Sequence, residues 1–208
     1  MKKDFRNRVL KYYNAFAPTY DLGEFFRRGT RTAVVNACDC QQGDLVLEIC
    51  SGTCELALAL AKRGIHTVAV DLARKMLLLG RRKSAYPHLE FLETDALILP
   101  FADKSFDTVV ISLALHHMPE EIQIKVLTEM GRLARKKVVT LEWHTPDTPT
   151  RQILKGLMIR VMDISEHLGP WMRQDFPATC QSAGLVVEEE QVLTGGFHRL
   201  TVCGPGRI

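Results

Sequence analysis

The segment LVLEICSGTC (45–54) constrains this chain more than any other. An apolar run with one acid inside it, Glu48, leads straight into a tight turn around Gly52. A helix follows at once, ELALALAKRG (55–64), with Gly64 as its C-terminal cap. A strand, a tight turn and a helix in that order belong to a parallel sheet, with free backbone N–H groups at the carboxyl edge of the strands. The rest of the chain repeats the alternation. HTVAVD (66–71), HLEFLE (88–93), DTVVIS (107–112) and KVVTLEW (137–143) read as further strands, and 73–86 and 119–134 as helices between them.

The last third changes character. Residues 148–169 carry a helical apolar stripe, and a second short helix is expected over 173–183. LVVEEEQVL and FHRLTVC, separated by Thr194, Gly195 and Gly196, read as an antiparallel hairpin. The expected fold is therefore α/β: a doubly wound, mostly parallel, seven-stranded Rossmann-like sheet closed by a C-terminal antiparallel hairpin. Residues 1–43 precede the first strand, look helical, and are expected to form a cap on a core spanning 44–208.

Composition narrows the function. The chain has 208 residues, 46% hydrophobic and 25% charged, which suits one globular domain and excludes a disordered tail. No apolar run approaches a membrane span, and the basic N-terminus lacks the apolar core of a signal peptide. The six cysteines do not have the spacing of a secreted disulfide scaffold, so a reducing cytoplasm is the expected location. A net charge of +3 is too small to argue for nucleic acid.

Three acids sit where strands end. Asp71 closes the second strand nineteen residues after Gly52, where a carboxylate can accept from a ribose diol. Asp95 follows the third strand, where it can accept from an exocyclic amine. Glu48 lies inside the first, and a buried acid needs a reason. Together they describe a nucleoside-shaped site. A dinucleotide fingerprint would want G-x-G-x-x-G, whereas this turn has one glycine and an acid in the strand before it. Each acid also has a plainer reading, as a helix cap or a hydrogen-bonded core group. Cys38, Cys40, Cys50 and Cys54 do not have zinc-site spacing and read as small apolar side chains, so no metal is expected.

On these residues the chain resembles the class I S-adenosylmethionine-dependent methyltransferases, in the small-molecule branch of the ubiquinone and menaquinone biosynthesis enzymes. The first motif corresponds to Glu48-Ile-Cys50-Ser-Gly52-Thr-Cys54, the second to Asp71 in VAVDLARKML, the third to Asp95-Ala96 with Leu99-Pro100-Phe101, and the fourth to FDTVVISLALHHM. AFAPTYD (15–21) is similar to the family's cofactor-capping segment. The resemblance implies S-adenosylmethionine as cofactor. It implies that Cys50, Ser51, Gly52 and Thr53 hold the methionine part, with Glu48 behind them. It implies Asp71 at the ribose, Leu72 and Met76 beside the adenosine, Asp95 and Ala96 at the adenine edge, Ser112 near the methyl donor, and Tyr20 in the cap. Cys50 and Cys54 depart from the family's glycines; a Cβ at a left-handed position costs roughly 1 kcal/mol or more. The family's Pro-Gly-Gly before the fifth strand is also replaced, by ARKK.

The expected activity is methyl transfer to a small apolar acceptor such as a quinone or lipid precursor, met by loops rich in Leu, Met and Phe and by Trp171. His116, just after the fourth strand, is the expected base or polarising group; His117 and His144 stand near the same edge, and His66, His88, His167 and His198 read as structural. Residues 1–31 hold eight Lys and Arg against three Asp and Glu. Phe5, Val9, Tyr12, Tyr13 and Phe16 share one helical face there. This segment is expected to pack on the core with its basic face in water, or to act as a lid through Tyr20 and Asp21 with a weak peripheral contact to an anionic membrane. The competing class is a non-catalytic cofactor-binding or interaction protein, supported only by the two cysteines. The oligomeric state is not legible.

Overall fold

The computed structural model describes residues 2–17, 20–21, 24–145 and 167–206. In chain order the elements are α1 (Lys2–Phe16), α2 (Glu24–Cys38), β1 (Leu45–Ile49), α3 (Glu55–Lys62), β2 (His66–Asp71), α4 (Arg74–Lys83), β3 (Leu89–Glu93), β4 (Phe106–Ser112), α5 (Glu120–Leu133), β5 (Ala134–Trp143), α6 (Leu168–Trp171), α7 (Phe176–Ser182), β6 (Leu185–Leu193) and β7 (His198–Pro205). The seven strands make one sheet in the order β3-β2-β1-β4-β5-β7-β6. β1 to β5 pair in parallel, while β7 runs antiparallel to both β5 and β6. This is the doubly wound sheet with a terminal antiparallel hairpin. β7 inserts between β5 and β6, so the last strand but one forms the edge.

Burial explains the strand sequences. β1 and β4 lie at the centre with both faces covered, and their side chains are almost all buried, as continuous apolar runs require. Alternate residues go to opposite layers. Leu47, Ile49, Val109 and Ile111 pack against Val126, Met130 and Leu133 of α5. Val46 and Val110 pack with Val34, Val35 and Cys38 of α2 and Leu56 and Leu60 of α3. Of the segment 1–43, α2 is thus built into the core, and α1 takes a different place, described below. β6 carries Glu188, Glu189 and Glu190 on the open edge, and such charges block pairing with another chain.

Some boundaries differ from expectation for local reasons. The helix expected over 173–183 begins only at Phe176, because Asp175 is its N-cap and accepts from the Ala178 N–H at 3.2 Å, with Pro177 in the first turn. α4 stops at Lys83 rather than Tyr86, since Ser84 is extended and its Oγ accepts from the Tyr86 N–H at 3.2 Å. β5 starts at Ala134, three residues early, through a register shift against β4. The helix expected over 148–169 lies outside the described residues up to 166. Among the described residues no helix is long and apolar enough to cross a membrane.

The contact between α4 and the β1–α3 turn is unusually close. Gly80 of α4 is buried against the turn, and a Cβ there would sit 2.5 Å from Cys54 Sγ, 2.7 Å from its Cβ and 3.0 Å from the Thr53 carbonyl oxygen. Backbone and a short side chain have little room to give. Gly80→Ala should therefore cost about 1–3 kcal/mol of stability, measured by urea unfolding. Cys54→Gly in the same chain should recover most of that loss; equal losses with and without Cys54 would show that the two side chains do not compete for the space.

Candidate functional site

The turn after β1 is left-handed at alternate positions. Cys50 (φ 55°), Gly52 (φ 53°) and Cys54 (φ 63°) all have positive φ, so two residues with a Cβ occupy backbone that favours glycine. Neighbouring bonds hold it there. The Ser51 N–H and Oγ both donate to the Val70 carbonyl, at 3.0 and 3.2 Å, and the Cys54 N–H donates to the Ser51 carbonyl at 2.8 Å. Glu48 is 3% exposed, and its Oε2 accepts from the Ala57 N–H at 3.0 Å. It therefore caps α3, with its negative charge at the positive end of the helix.

Asp71 joins this turn to the next. Its Oδ2 accepts from the Gly52 N–H at 2.8 Å and its Oδ1 from the Ala73 N–H at 2.7 Å. Burial pushes the carboxyl above its ordinary range, and the N–H groups of Ala73, Gly52 and Leu72 pull it back. Asp95 ends the neighbouring loop. Its Oδ1 accepts from the Leu97 N–H at 3.0 Å, and its Oδ2 meets Arg6 Nε of α1 at 3.3 Å.

These groups line a cavity of about 830 Å³ at the carboxyl edge of the sheet. Tyr20, Cys50, Gly52, Asp71, Leu72, Met76, Asp95, Ala96 and Ser112 are on its wall. A smaller adjoining recess of about 70 Å³ is lined by Glu48, Ser51 and Thr53, and shares Tyr20, Cys50 and Ser112 with the first. The residues expected to hold a cofactor are thus brought to two connected spaces. The same wall carries an apolar patch of Leu97, Met118, Ile122 and Val126, beside Glu121 and Lys125.

α1 lies over this cavity. Arg6 and Tyr13 line it. Ala17 packs with Ala73 and Met76, with Tyr13 and Tyr20 against them. Asn14 Oδ1 accepts from the Lys75 N–H at 3.1 Å. Asp21 Oδ1 accepts from Thr53 Oγ1 at 2.5 Å, and Asp21 Oδ2 meets Lys83 Nζ at 2.9 Å. The Tyr20 ring stands 3.8 Å from where a Cβ on Gly52 would be. The side chains of Phe5, Val9 and Phe16 lie outside the described residues.

The turn after β4 supplies the remaining wall. Leu113 is left-handed (φ 52°), its N–H donates to the Leu141 carbonyl at 2.7 Å, and a short helical turn follows over Leu115–His117. The expectation that His116 meets the acceptor directly needs correction. His116 is 2% exposed and stands behind the wall, with Nδ1 2.6 Å from Glu142 Oε2, whereas His117 lines the cavity. The turn's 3₁₀ geometry sends adjacent side chains to different sides. His167, read as structural, is also on the wall. His144 donates to the Gly196 carbonyl at 3.2 Å and His88 to the Ala61 carbonyl at 2.8 Å, while His66 meets Glu90 at 2.9 Å. The sequence reading put His117 near this edge without a role, took His167 as structural, and did not assign Arg6, Tyr13 or Leu113 to the site. Leu113 and His117 fall within the fourth motif, whereas Arg6, Tyr13 and His167 carry no local motif.

A methyltransferase-domain family model matches residues 46–137. The demethylmenaquinone methyltransferase of Clavibacter sepedonicus is 38% identical over 190 residues, spanning 82% of this chain and 77% of that protein. That of Renibacterium salmoninarum is 33% identical over 164 residues, spanning 75% and 68%. The structure of magnesium protoporphyrin IX methyltransferase from Synechocystis PCC 6803 with bound SAH superposes with a TM-score of 0.74 at 17% identity, over 96% of this chain and 99% of that one.

The wall histidine has a consequence for stability. Burial, reinforced by His116 and His167, pushes the His117 imidazole from 6.5 down to about 2, and the Tyr13 ring of α1 meets it edge-on at 5.8 Å. Between those values the unfolded chain binds the extra proton. The contribution is therefore complete above the unfolded value and is lost as pH falls below it, by about 1.4 kcal/mol per pH unit. His117→Leu should flatten the pH dependence of the unfolding free energy between about pH 6.5 and 4.5 by close to one proton; an unchanged slope would rule out a buried neutral imidazole here.

Proposed function

The chain belongs to the class I S-adenosylmethionine-dependent methyltransferases, and from that premise we propose that it methylates a small, largely apolar acceptor, a hydroquinone of the demethylmenaquinone type. The observation that carries the reading is the apolar patch of Leu97, Met118, Ile122 and Val126 on the wall of the same cavity as Asp71 and Asp95, with Arg6 and Tyr13 of α1 on that wall too. A cavity of about 830 Å³ with such a patch has room for a small ring compound. The two relatives at 33% and 38% identity are named for a quinone substrate, which agrees with it.

The residues present fit the cofactor. The turn at Gly52 leaves a cradle that a Cβ would fill toward Tyr20, the acids Asp71 and Asp95 stand at successive strand ends, and apolar Leu72 and Met76 lie beside them. In this reading Cys50 to Thr53 hold the methionine part and Asp71 the ribose. Leu72 and Met76 flank the adenosine, Asp95 and Ala96 read the adenine edge, and Ser112 lies near the methyl. The sulfonium supplies an activated methyl with a neutral thioether as leaving group. The chain has to align the acceptor and keep water out, and proximity supplies much of the barrier reduction. α1 and Tyr20 do the excluding, and the β4–α5 turn does the aligning.

Asp71→Ala should weaken S-adenosylmethionine by about 1–3 kcal/mol in calorimetry, through lost hydrogen bonds to the ribose and a loosened Gly52. Full affinity in the folded variant would remove Asp71 from the site. The acceptor is tested by incubating the purified chain with S-adenosylmethionine and a short-tailed demethylmenaquinol, beside protein and RNA substrates, with products read by mass spectrometry. The methylated quinol is the expected product. Cofactor binding with methylation only of the macromolecules would overturn the acceptor.

A further inference from the structure

Behind the cavity wall lies a buried acid that methyl transfer as described leaves unused. Glu142 of β5 is 1% exposed. Its Oε1 accepts from the N–H groups of Ala114 at 2.8 Å and Leu115 at 2.7 Å, and its Oε2 takes His116 Nδ1 at 2.6 Å. With both carboxylate oxygens engaged, the contact at Oε2 fixes the plane of the His116 ring. Trp143 and Trp171 stand edge-on to that ring at 6.3 and 6.4 Å. The His117 ring lies against it, with centroids 3.9 Å apart. His117 reaches the cavity wall and is kept neutral there by its burial. The arrangement runs from a carboxylate clamped by three contacts, through one immobilised imidazole, to a second imidazole facing the cavity. A buried carboxylate is costly unless paired, and this one is spent on holding a single turn.

We infer that the Ala114–His117 turn reads the acceptor. His117 accepts a hydrogen bond from an aromatic or enolic hydroxyl of the acceptor, and Glu142 is the positioning residue that holds this imidazole in place through His116 and the turn backbone. The inference rests on the methyl-transfer reading and assigns to this turn the recognition of the hydroxyl that such an acceptor carries. A site built to pair a hydroxyl rejects an analogue without it more strongly than an apolar pocket distinguishes sizes.

The test is a binding measurement that needs no turnover. The full chain is loaded with S-adenosylhomocysteine and titrated calorimetrically with 1-naphthol and with 1-methoxynaphthalene. Wild type should bind the naphthol at least tenfold more tightly. His117→Leu should abolish that preference. Glu142→Gln should abolish it too while leaving S-adenosylhomocysteine affinity within twofold, and the double variant should be no worse than His117→Leu alone. In the folded Glu142→Gln protein the imidazole ¹⁵N shifts of His116 should move from their wild-type values. A merely structural Glu142 would lower the melting temperature and weaken cofactor and probe alike, without touching the hydroxyl preference. If Glu142→Gln does not fold, Glu142→Asp takes its place, and the His117→Leu arm decides the contact by itself. A hydroxyl preference that survives His117→Leu, or naphthol failing to bind wild type, overturns the inference. An intact preference in a protein that methylates no quinol would instead overturn the acceptor reading and leave this contact standing.

Discussion

The carboxylate of Asp71 holds together the two turns on which the cavity is built. One oxygen takes the Gly52 N–H after β1, the other the Ala73 N–H at the start of α4. β1 and β2 are adjacent parallel strands, so their turns emerge side by side at the carboxyl edge. A single acid at the end of β2 can therefore bridge them. Its burial raises the cost of ionisation, and the backbone N–H groups offset that cost. The bridge aligns the left-handed turn, which in turn sets where Cys50 and Gly52 face the cavity and where Tyr20 closes over them.

Left-handed backbone at Cys50 and Cys54 is unfavourable by about 1–2 kcal/mol per residue. Compensation comes from several directions. Ser51 is tied to β2 through Val70, Glu48 caps α3, and Gly80 of α4 leaves the space that the Cys54 side chain fills. A glycine given up in the turn is matched by one present in the helix facing it. The thiols behave as small apolar groups. Burial pushes Cys50 well above the ordinary range, with the negative charges of Asp71, Asp95, Glu142 and Glu48 adding to it, so this cavity-lining thiol stays protonated and weakly nucleophilic.

α1 lies on the opposite side of the cavity from these turns, with Arg6 and Tyr13 on its wall. α1 meets the core through the small apolar cluster of Ala17, Ala73 and Met76, the Asn14–Lys75 hydrogen bond and the Arg6–Asp95 pair. The Arg6 side chain is 51% exposed, and an ion pair so placed contributes about 0–1 kcal/mol. Asp21 adds a clasp to Thr53 and Lys83. On the floor, Glu48 of β1 caps α3, Asp71 bridges the turns after β1 and β2, and Glu142 of β5 holds the Ala114–His116 turn.

The sequence by itself determined the α/β alternation, the parallel centre and the terminal hairpin, because strand and helix periodicities and a turn glycine are local properties. It also determined that Glu48, Gly52, Asp71 and Asp95 stand at one edge, since in a parallel sheet every strand of the alternation ends on the same side. What those acids do was left to the tertiary structure. Glu48 caps a helix nine residues on, and Asp71 bridges two turns, both through backbone N–H groups whose direction no residue type encodes. The order β5-β7-β6 required the hairpin to dock, because pairing across a sheet depends on partners far apart in the chain. Likewise only packing decided between two adjacent histidines. A short helical turn anchored by Glu142, twenty-six residues beyond His116, buries one ring and turns the other to the cavity. Arg6 and Tyr13 reach the same cavity from the opposite end of the chain, a proximity that exists only once α1 has folded over α4.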